Sequence, residues 1–163
     1  MKSTAMRITA LVATAATAVA LAGCTTTGAA SESEGTIALL LPESQTARYE
    51  AFDRPIFEER VAALGDFDVL YSNADQDAAK QQQQAEAALT AGAEVLVLDP
   101  VDAQAAVSIV ETANAEGIPV VSYDRLVAGG ELAYYISFDN EQVGVLQGET
   151  LVAALDADGA TGG

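Results

Sequence analysis

The chain of 163 residues contains no histidine, a single cysteine (Cys24) and only seven lysines and arginines against 24 aspartates and glutamates. Without histidine, Ser-His and Cys-His nucleophilic catalysis and most transition-metal sites lose their usual parts. A lone cysteine rules out an internal disulfide. The scarcity of basic residues argues against nucleic acid and anionic lipid surfaces as partners, since both are held by clustered cations. Phosphate cradles are missing as well: no G-x-G-x-x-G and no GK[ST] occurs. The length leaves room for one domain.

What is present begins with Lys2 and Arg7, then an apolar, Ala-rich run from Ile8 to Ala22. That run is too short to span a bilayer comfortably and reads as the h-region of a signal peptide. It ends in Leu21-Ala22-Gly23-Cys24, which resembles the lipobox of bacterial lipoproteins. The resemblance implies that residues 1–23 are removed and that Cys24 is lipidated, tethering the chain to the membrane. Every acidic residue lies beyond that point while two basic ones precede it, so the mature part is more acidic than the formal −17. Residues 24–35 are small and polar without apolar periodicity, a flexible tether. Ten such residues span roughly 17 Å on root-mean-square average.

From residue 36 the chain repeats strand, polar loop, helix and glycine. Thr36–Leu41, Phe67–Tyr71, Glu94–Leu98, Ile118–Ser122 and Ala133–Phe138 read as strands, several apolar throughout as in a sheet covered on both faces. Helices are expected over Glu50–Leu64, Gln76–Ala91, Ala103–Glu116 and Glu141–Leu155. In the first, Phe52, Ile56, Phe57, Val61 and Leu64 recur close to helical spacing. The Gln81–Gln84 run is expected on a solvated helical face. Asp99 and Asp102 are assigned to turns and capping, and Asp139 or Asn140 to the cap of the last helix. Alternating strands and helices predict an α/β fold: a doubly wound parallel sheet with flavodoxin-like strand order 2-1-3-4-5.

In such a sheet ligands bind beyond the carboxyl ends of the strands. Two segments end there in charged or amide side chains: Ile118-Pro-Val-Val-Ser-Tyr-Asp-Arg125 and Tyr134-Tyr-Ile-Ser-Phe-Asp-Asn140. Asp124 offers an acceptor and Arg125 a five-donor fork, a pair suited to a neutral polyol. The alternative is that Asp124 and Arg125 pair with each other and merely hold their loop. Arg48 belongs to the loop after the first strand, and Tyr49 either stacks on a pyranose face or staples the first helix. Asn140 is a further candidate at the fifth strand's end. An acidic rim repels phosphate and suits sugar hydroxyls.

Ala47-Arg-Tyr-Glu, Gly92-Ala-Glu-Val-Leu-Val-Leu-Asp-Pro-Val, Gly117-Ile-Pro-Val-Val-Ser-Tyr-Asp-Arg and Tyr135-Ile-Ser-Phe-Asp-Asn-Glu-Gln-Val-Gly carry a specific resemblance. From Thr36 to about Asp156 the text is similar to the first portion of periplasmic-binding-protein-type sugar receptors, most of all the D-xylose-binding proteins of ABC importers. The resemblance implies a two-lobed receptor that closes on a monosaccharide without changing it chemically. Residues 36–138 would be an incomplete first lobe, and 139–163 the hinge crossing and the start of a truncated second lobe. Arg48, Asp124 and Arg125 would be sugar contacts, while Tyr49 stands where xylose receptors tend to have tryptophan. No cofactor and no metal is implied. Expected partners are the sugar, ABC permease and ATPase subunits and the membrane through Cys24; the chain would be a monomer outside the cytoplasm. A receptor feeding a membrane sensor, or a regulator-type sugar-binding domain, is the alternative function. An enzyme is not expected.

Overall fold

The computed structural model describes residues 33–159; the segments expected to be signal peptide, lipobox with Cys24 and nearly all of the tether lie outside them. Five parallel strands form one sheet in the order β2-β1-β3-β4-β5, the order expected from the sequence. They are β1 (Gly35–Leu41), β2 (Phe67–Asn73), β3 (Val95–Leu98), β4 (Val120–Tyr123) and β5 (Tyr134–Ile136). The helices are α1 (Arg54–Leu64), α2 (Ala78–Thr90), α3 (Val107–Ala115) and α4 (Asn140–Ala157). No helix among the described residues is long and apolar enough to cross a membrane.

The continuous apolar runs of β1 and β3 serve two cores, because successive side chains leave opposite faces of a strand. Ala38, Leu40, Leu96, Leu98 and Val120 pack with Ala85, Ala88 and Leu89 of α2 and Ile109, Val110 and Ala113 of α3. Leu39, Leu41 and Val97 face the other way, toward Tyr49 and the partly buried Phe57. The first face is closed. The second is only half covered, and a cavity of about 420 Å³ lies there, lined by Leu39, Phe57, Val97, Val121, Tyr123 and Ile136 among others.

Three helical expectations change. The first helix opens with a π turn at Tyr49–Asp53, and Arg54 N–H bonds to Tyr49 O. A π turn holds one extra residue per turn, so positions before and after it no longer share a single 3.6-residue stripe. Phe52, within that turn, is exposed; in α1 itself Ile56 and Leu64 are exposed too, and Val61 alone is buried. The third helix begins at Val107 rather than Ala103. Asp102 accepts from Gln104 and Ala105 N–H, and the chain makes a separate turn before α3. The glutamine run is a solvated face only in part: Gln83 is exposed, but Gln81 is 1 % exposed and bridges backbone groups, donating to Asp99 O at 2.8 Å and accepting from Val101 N at 2.9 Å.

At the chain's far end Asp139 caps α4 by accepting from Gln142 N–H at 2.9 Å. No residue of α4 is buried, although Val143, Leu146, Leu151, Val152 and Leu155 are all apolar.

Candidate functional site

Beyond the carboxyl edge of the sheet, the connections leaving β1 and β3 diverge, since β1 is followed on one side by β2 and flanked on the other by β3. Such a switch point opens a crevice. A polar cavity of about 500 Å³ occupies it, lined by Pro42, Glu43, Gln76, Ala78, Val101, Asp102 and Arg125. Asp75, Gln76 and Asp124, which stand in the loops around this edge, adopt φ of 52°, 66° and 58°. Left-handed backbone at non-glycine residues costs energy and gathers where surrounding contacts enforce it, often at binding sites.

The turn at Asp124 is held from every side. Its N–H donates to Ile136 O at 2.8 Å, and its carbonyl accepts from Tyr135 OH (3.2 Å) and Ser137 Oγ (2.9 Å). Ser122 Oγ, fully buried, donates to Arg125 O and accepts from Val127 N–H. The short β4 therefore ends in a fixed loop that projects two adjacent charged side chains.

Those two side chains do not pair with each other. Asp124 Oδ2 receives Arg48 Nη2 at 2.6 Å and Tyr49 OH at 2.9 Å. Arg125 turns the other way: Nη1 donates to Pro100 O at 3.3 Å and Nε stands 3.8 Å from Asp99 Oδ1. Arg48 is shared, with its Nε 3.1 Å from Asp53 Oδ2 and its guanidinium over the rings of Tyr49 and Phe138 at 4.9 and 5.0 Å. Among the described residues, Asp124 Oδ1 and Arg125 Nη2 make no hydrogen bond. An acceptor and a donor are thus left over on adjacent residues.

Four of the five candidate binding residues, Arg48, Tyr49, Asp124 and Arg125, are gathered in one cluster. Tyr49 enters it from below: it is 2 % exposed and packed with Leu39, Leu41 and Val97 at the start of the first helix. Burial and the nearby negative charge of Asp99 push its phenol pKa upward, so it is a neutral donor to Asp124. Asn140 is the exposed first residue of α4 and is not drawn into the cluster.

Asp99 departs from expectation. Assigned by sequence to a turn, it is fully buried, and neither carboxylate oxygen meets a donor in good hydrogen-bond geometry, the Tyr49 hydroxyl being the nearest group that favours its charge. Burial first, and the charge of Asp124 second, push its pKa up to about 7, with Arg125 opposing. Its position directly after the all-apolar Val95–Leu98 was the available signal: a strand buried on both faces delivers its next residue to the interior. Asp53 and Tyr123 were also missed; burial, then hydrogen bonding to Asp53, pushes Tyr123 up to about 12. Glu43, by contrast, is held below the ordinary carboxylate range by hydrogen bonds from the Thr46 side chain and backbone, helped by Gln45 N–H.

The side chains gathered at this edge are carboxylates, guanidinium groups and phenols, which accept and donate hydrogen bonds. Among the described residues no group of three or more acidic or thiol side chains is placed to hold a metal ion.

Residues 37–162 match the family profile described as Periplasmic binding protein domain. The chain is 36 % identical over 124 residues to the D-xylose-binding periplasmic protein of Escherichia coli, covering 76 % of this chain and 37 % of that protein. It is 34 % identical over 123 residues to the multiple sugar-binding periplasmic receptor ChvE of Rhizobium radiobacter, covering 75 % and 34 %. The chain therefore spans about a third of the length of the curated relatives it matches. Among solved structures, a carbohydrate transporter solute binding protein from Chloroflexus aurantiacus in complex with D-glucose superposes with a TM-score of 0.67 at 31 % identity, over 77 % of this chain and 35 % of that one. An ABC transporter solute binding protein from Clostridium phytofermentans with bound β-D-glucose gives 0.69 at 26 % identity, over 78 % and 39 %.

Proposed function

Because this chain belongs to the periplasmic binding protein domain family, we propose that it carries the first-lobe half of a monosaccharide site, in the extracytoplasmic solute-binding component of an ABC-type import system. D-xylose is the ligand of choice, and the sugar is bound and released unreacted. One observation carries the reading: Asp124 and Arg125 are held by separate counter-ions, which leaves Asp124 Oδ1 and Arg125 Nη2 to a shared polyol. Hydrogen bonds from a hydroxyl to Asp124 and from Arg125 to the same sugar involve charged groups, each worth roughly 1.5–3 kcal/mol when well formed. Relatives named for D-xylose, for multiple sugars and for ribose support the substrate class.

Residues 36–138 are the first lobe in this proposal, and 139–163 lead toward a second. The wholly exposed, apolar-rich α4 favours that division, since a helix belonging to this lobe would bury a stripe against it. Cys24 anchors the protein by lipid at the outer face of the membrane, where permease and ATPase subunits receive the sugar.

The test is a saccharide titration followed by NMR on the chain as it stands. Because these 163 residues match about a third of the relatives' length, D-xylose should perturb the amides of Asp124, Arg125 and Ser137 at millimolar concentrations, and calorimetry on them should find no micromolar binding. D-xylose shifts confined to residues away from the sheet's carboxyl edge would sink the assignment.

A further inference from the structure

The buried carboxylate of Asp99 lies against the candidate site. It is 0 % exposed, and neither oxygen meets a donor in good hydrogen-bond geometry, although the Tyr49 hydroxyl lies close enough to favour its ionised form. A buried carboxylate without a well-formed hydrogen bond is costly and calls for an explanation. The groups facing it are few. Tyr49 and Arg48 approach from the turn preceding α1, and Asp124 and Arg125 from the loop after β4. From α2 comes the neutral amide of Gln81, which binds the Asp99 and Val101 backbone rather than the carboxylate. Arg125, at 3.8 Å, is the nearest cation to it among the ion pairs of the described residues.

Seen from Arg125, the same geometry is a clamp. Its Nε faces Asp99 and its Nη1 faces Pro100 O, both on the rigid extension of β3, while the side chain as a whole stays 43 % exposed. These two contacts restrain the guanidinium and leave Nη2 without a hydrogen bond among the described residues. We propose that Asp99 is a positioning residue that holds the Arg125 fork for the ligand, and that a proton on Asp99 loosens the hold. The proposal rests on the carbohydrate reading of this edge.

Its consequence is a linkage between ligand and proton. Ionised Asp99 pulls Arg125 into place; protonated Asp99 leaves Nε without its counter-charge and frees the side chain to wander. Affinity is then higher above the carboxyl's titration range than below it. By reciprocity, ligand binding favours the ionised form and releases protons. A sugar covering Arg125 also excludes water from the pair, which strengthens the attraction between the two charges.

Two measurements on the full chain test this, one without sugar. In the first, the Asp99 carboxyl carbon and the Arg125 Nε–Hε group are followed by NMR against pH, in wild type and in Asp99→Asn. Both signals should follow one curve in the wild type, centred in the neutral range, and the Arg125 curve should flatten in the variant. A carboxyl that titrates in the ordinary aspartate range, or an Arg125 Nε curve unchanged by Asp99→Asn, overturns the proposal.

In the second, D-xylose and D-glucose dissociation constants are taken by NMR at about pH 8 and about pH 5.5, on either side of the linkage range. Wild-type affinity should fall roughly tenfold at the lower pH, as for a modest coupling. Asp99→Asn should be weak at both values, with no slope between them. A variant that binds as tightly as wild type at the higher pH, or keeps the slope, refutes the positioning role. Should neither sugar bind at any pH, the carbohydrate reading fails, and the first measurement still decides whether Asp99 governs Arg125.

Discussion

Arg48 Nη2 and Tyr49 OH converge on the same oxygen of Asp124, at 2.6 and 2.9 Å, from a turn that precedes α1 and is 75 residues away in sequence. This joins the connection after β1 to the connection after β4 and spends one lone-pair side of the carboxylate on the protein itself. The other oxygen is thereby aimed, not merely available.

Tyr49→Phe isolates the neutral half of that arrangement. The ring keeps its place among Leu39, Leu41 and Val97, and what is lost is the hydroxyl that donates to Asp124 and lies close to Asp99. Stability in urea denaturation should fall by roughly 1–2 kcal/mol, the range for a hydrogen bond to a partly screened charge. Sugar-induced shifts at Asp124 should weaken as well. An unchanged midpoint would mean that the Tyr49 hydroxyl is satisfied elsewhere.

The left-handed conformation of Asp124, at φ 58°, makes a second set of substitutions informative. Glycine adopts this region freely and asparagine tolerates it, but alanine meets its own Cβ clash. Asp124→Gly and Asp124→Ala lose the same ion pair with Arg48. Denaturation should nevertheless place the alanine variant about 1 kcal/mol below the glycine variant. Asp124→Asn should fold well and bind sugar poorly, which separates the backbone role of this position from its charge.

Asp99 should leave its mark on the pH dependence of stability, with a sign opposite to that of most carboxylates. Its folded pKa is about 7 against an ordinary 3.8. Below about pH 4 the group is protonated in both states and contributes nothing. As pH rises toward 7 the unfolded chain releases this proton first, so stability falls, and above the folded pKa the full penalty persists. About three pK units at 1.36 kcal/mol each set a ceiling of roughly 4 kcal/mol. Asp99→Asn should therefore stabilise the protein above about pH 7 and confer no gain near pH 4, as read from melting temperatures across the range. Glu43, with its lowered pKa, works in the usual direction: its contribution is present above its unfolded value and is lost on acidification through its folded one. Retaining a destabilising carboxylate fits a group kept for binding.

The fold was legible because each strand announced itself as an apolar run and each helix as a polar segment closed by glycine. Gly117 shows this well: at φ 77° it closes α3 where the periodicity stopped. The cluster was legible in part. Arg48, Asp124 and Arg125 stood out as charges at strand ends, but which charge pairs with which depends on loop paths that no local pattern encodes. The π turn at Tyr49–Asp53 is one such path; it carries Arg48 toward Asp53 and Asp124, and an ordinary helical wheel does not anticipate it. Gln81 was hidden for a different reason. It shares a stripe with Ala85, Ala88 and Leu89, all buried in α2, but its polarity and its place in a glutamine run pointed outward.

That glutamine yields the last prediction. Its side chain replaces the hydrogen bonds that the chain at Asp99–Val101 cannot form as a strand, one to each of two backbone groups, from a position 1 % exposed. Gln81→Ala leaves a buried carbonyl and a partly buried N–H without this partner and opens a void, at a cost of about 2–4 kcal/mol. Gln81→Leu fills the void and still orphans both groups, so it should recover only the packing share of that loss. The same backbone segment carries Asp99 and the Pro100 carbonyl that hold Arg125. Both variants should therefore broaden the Arg125 Nε–Hε resonance, whereas glutamine-to-alanine replacement at the exposed Gln83 should leave it sharp. Equal Arg125 line widths in Gln81→Leu and wild type would show that the strand end is rigid without this bridge.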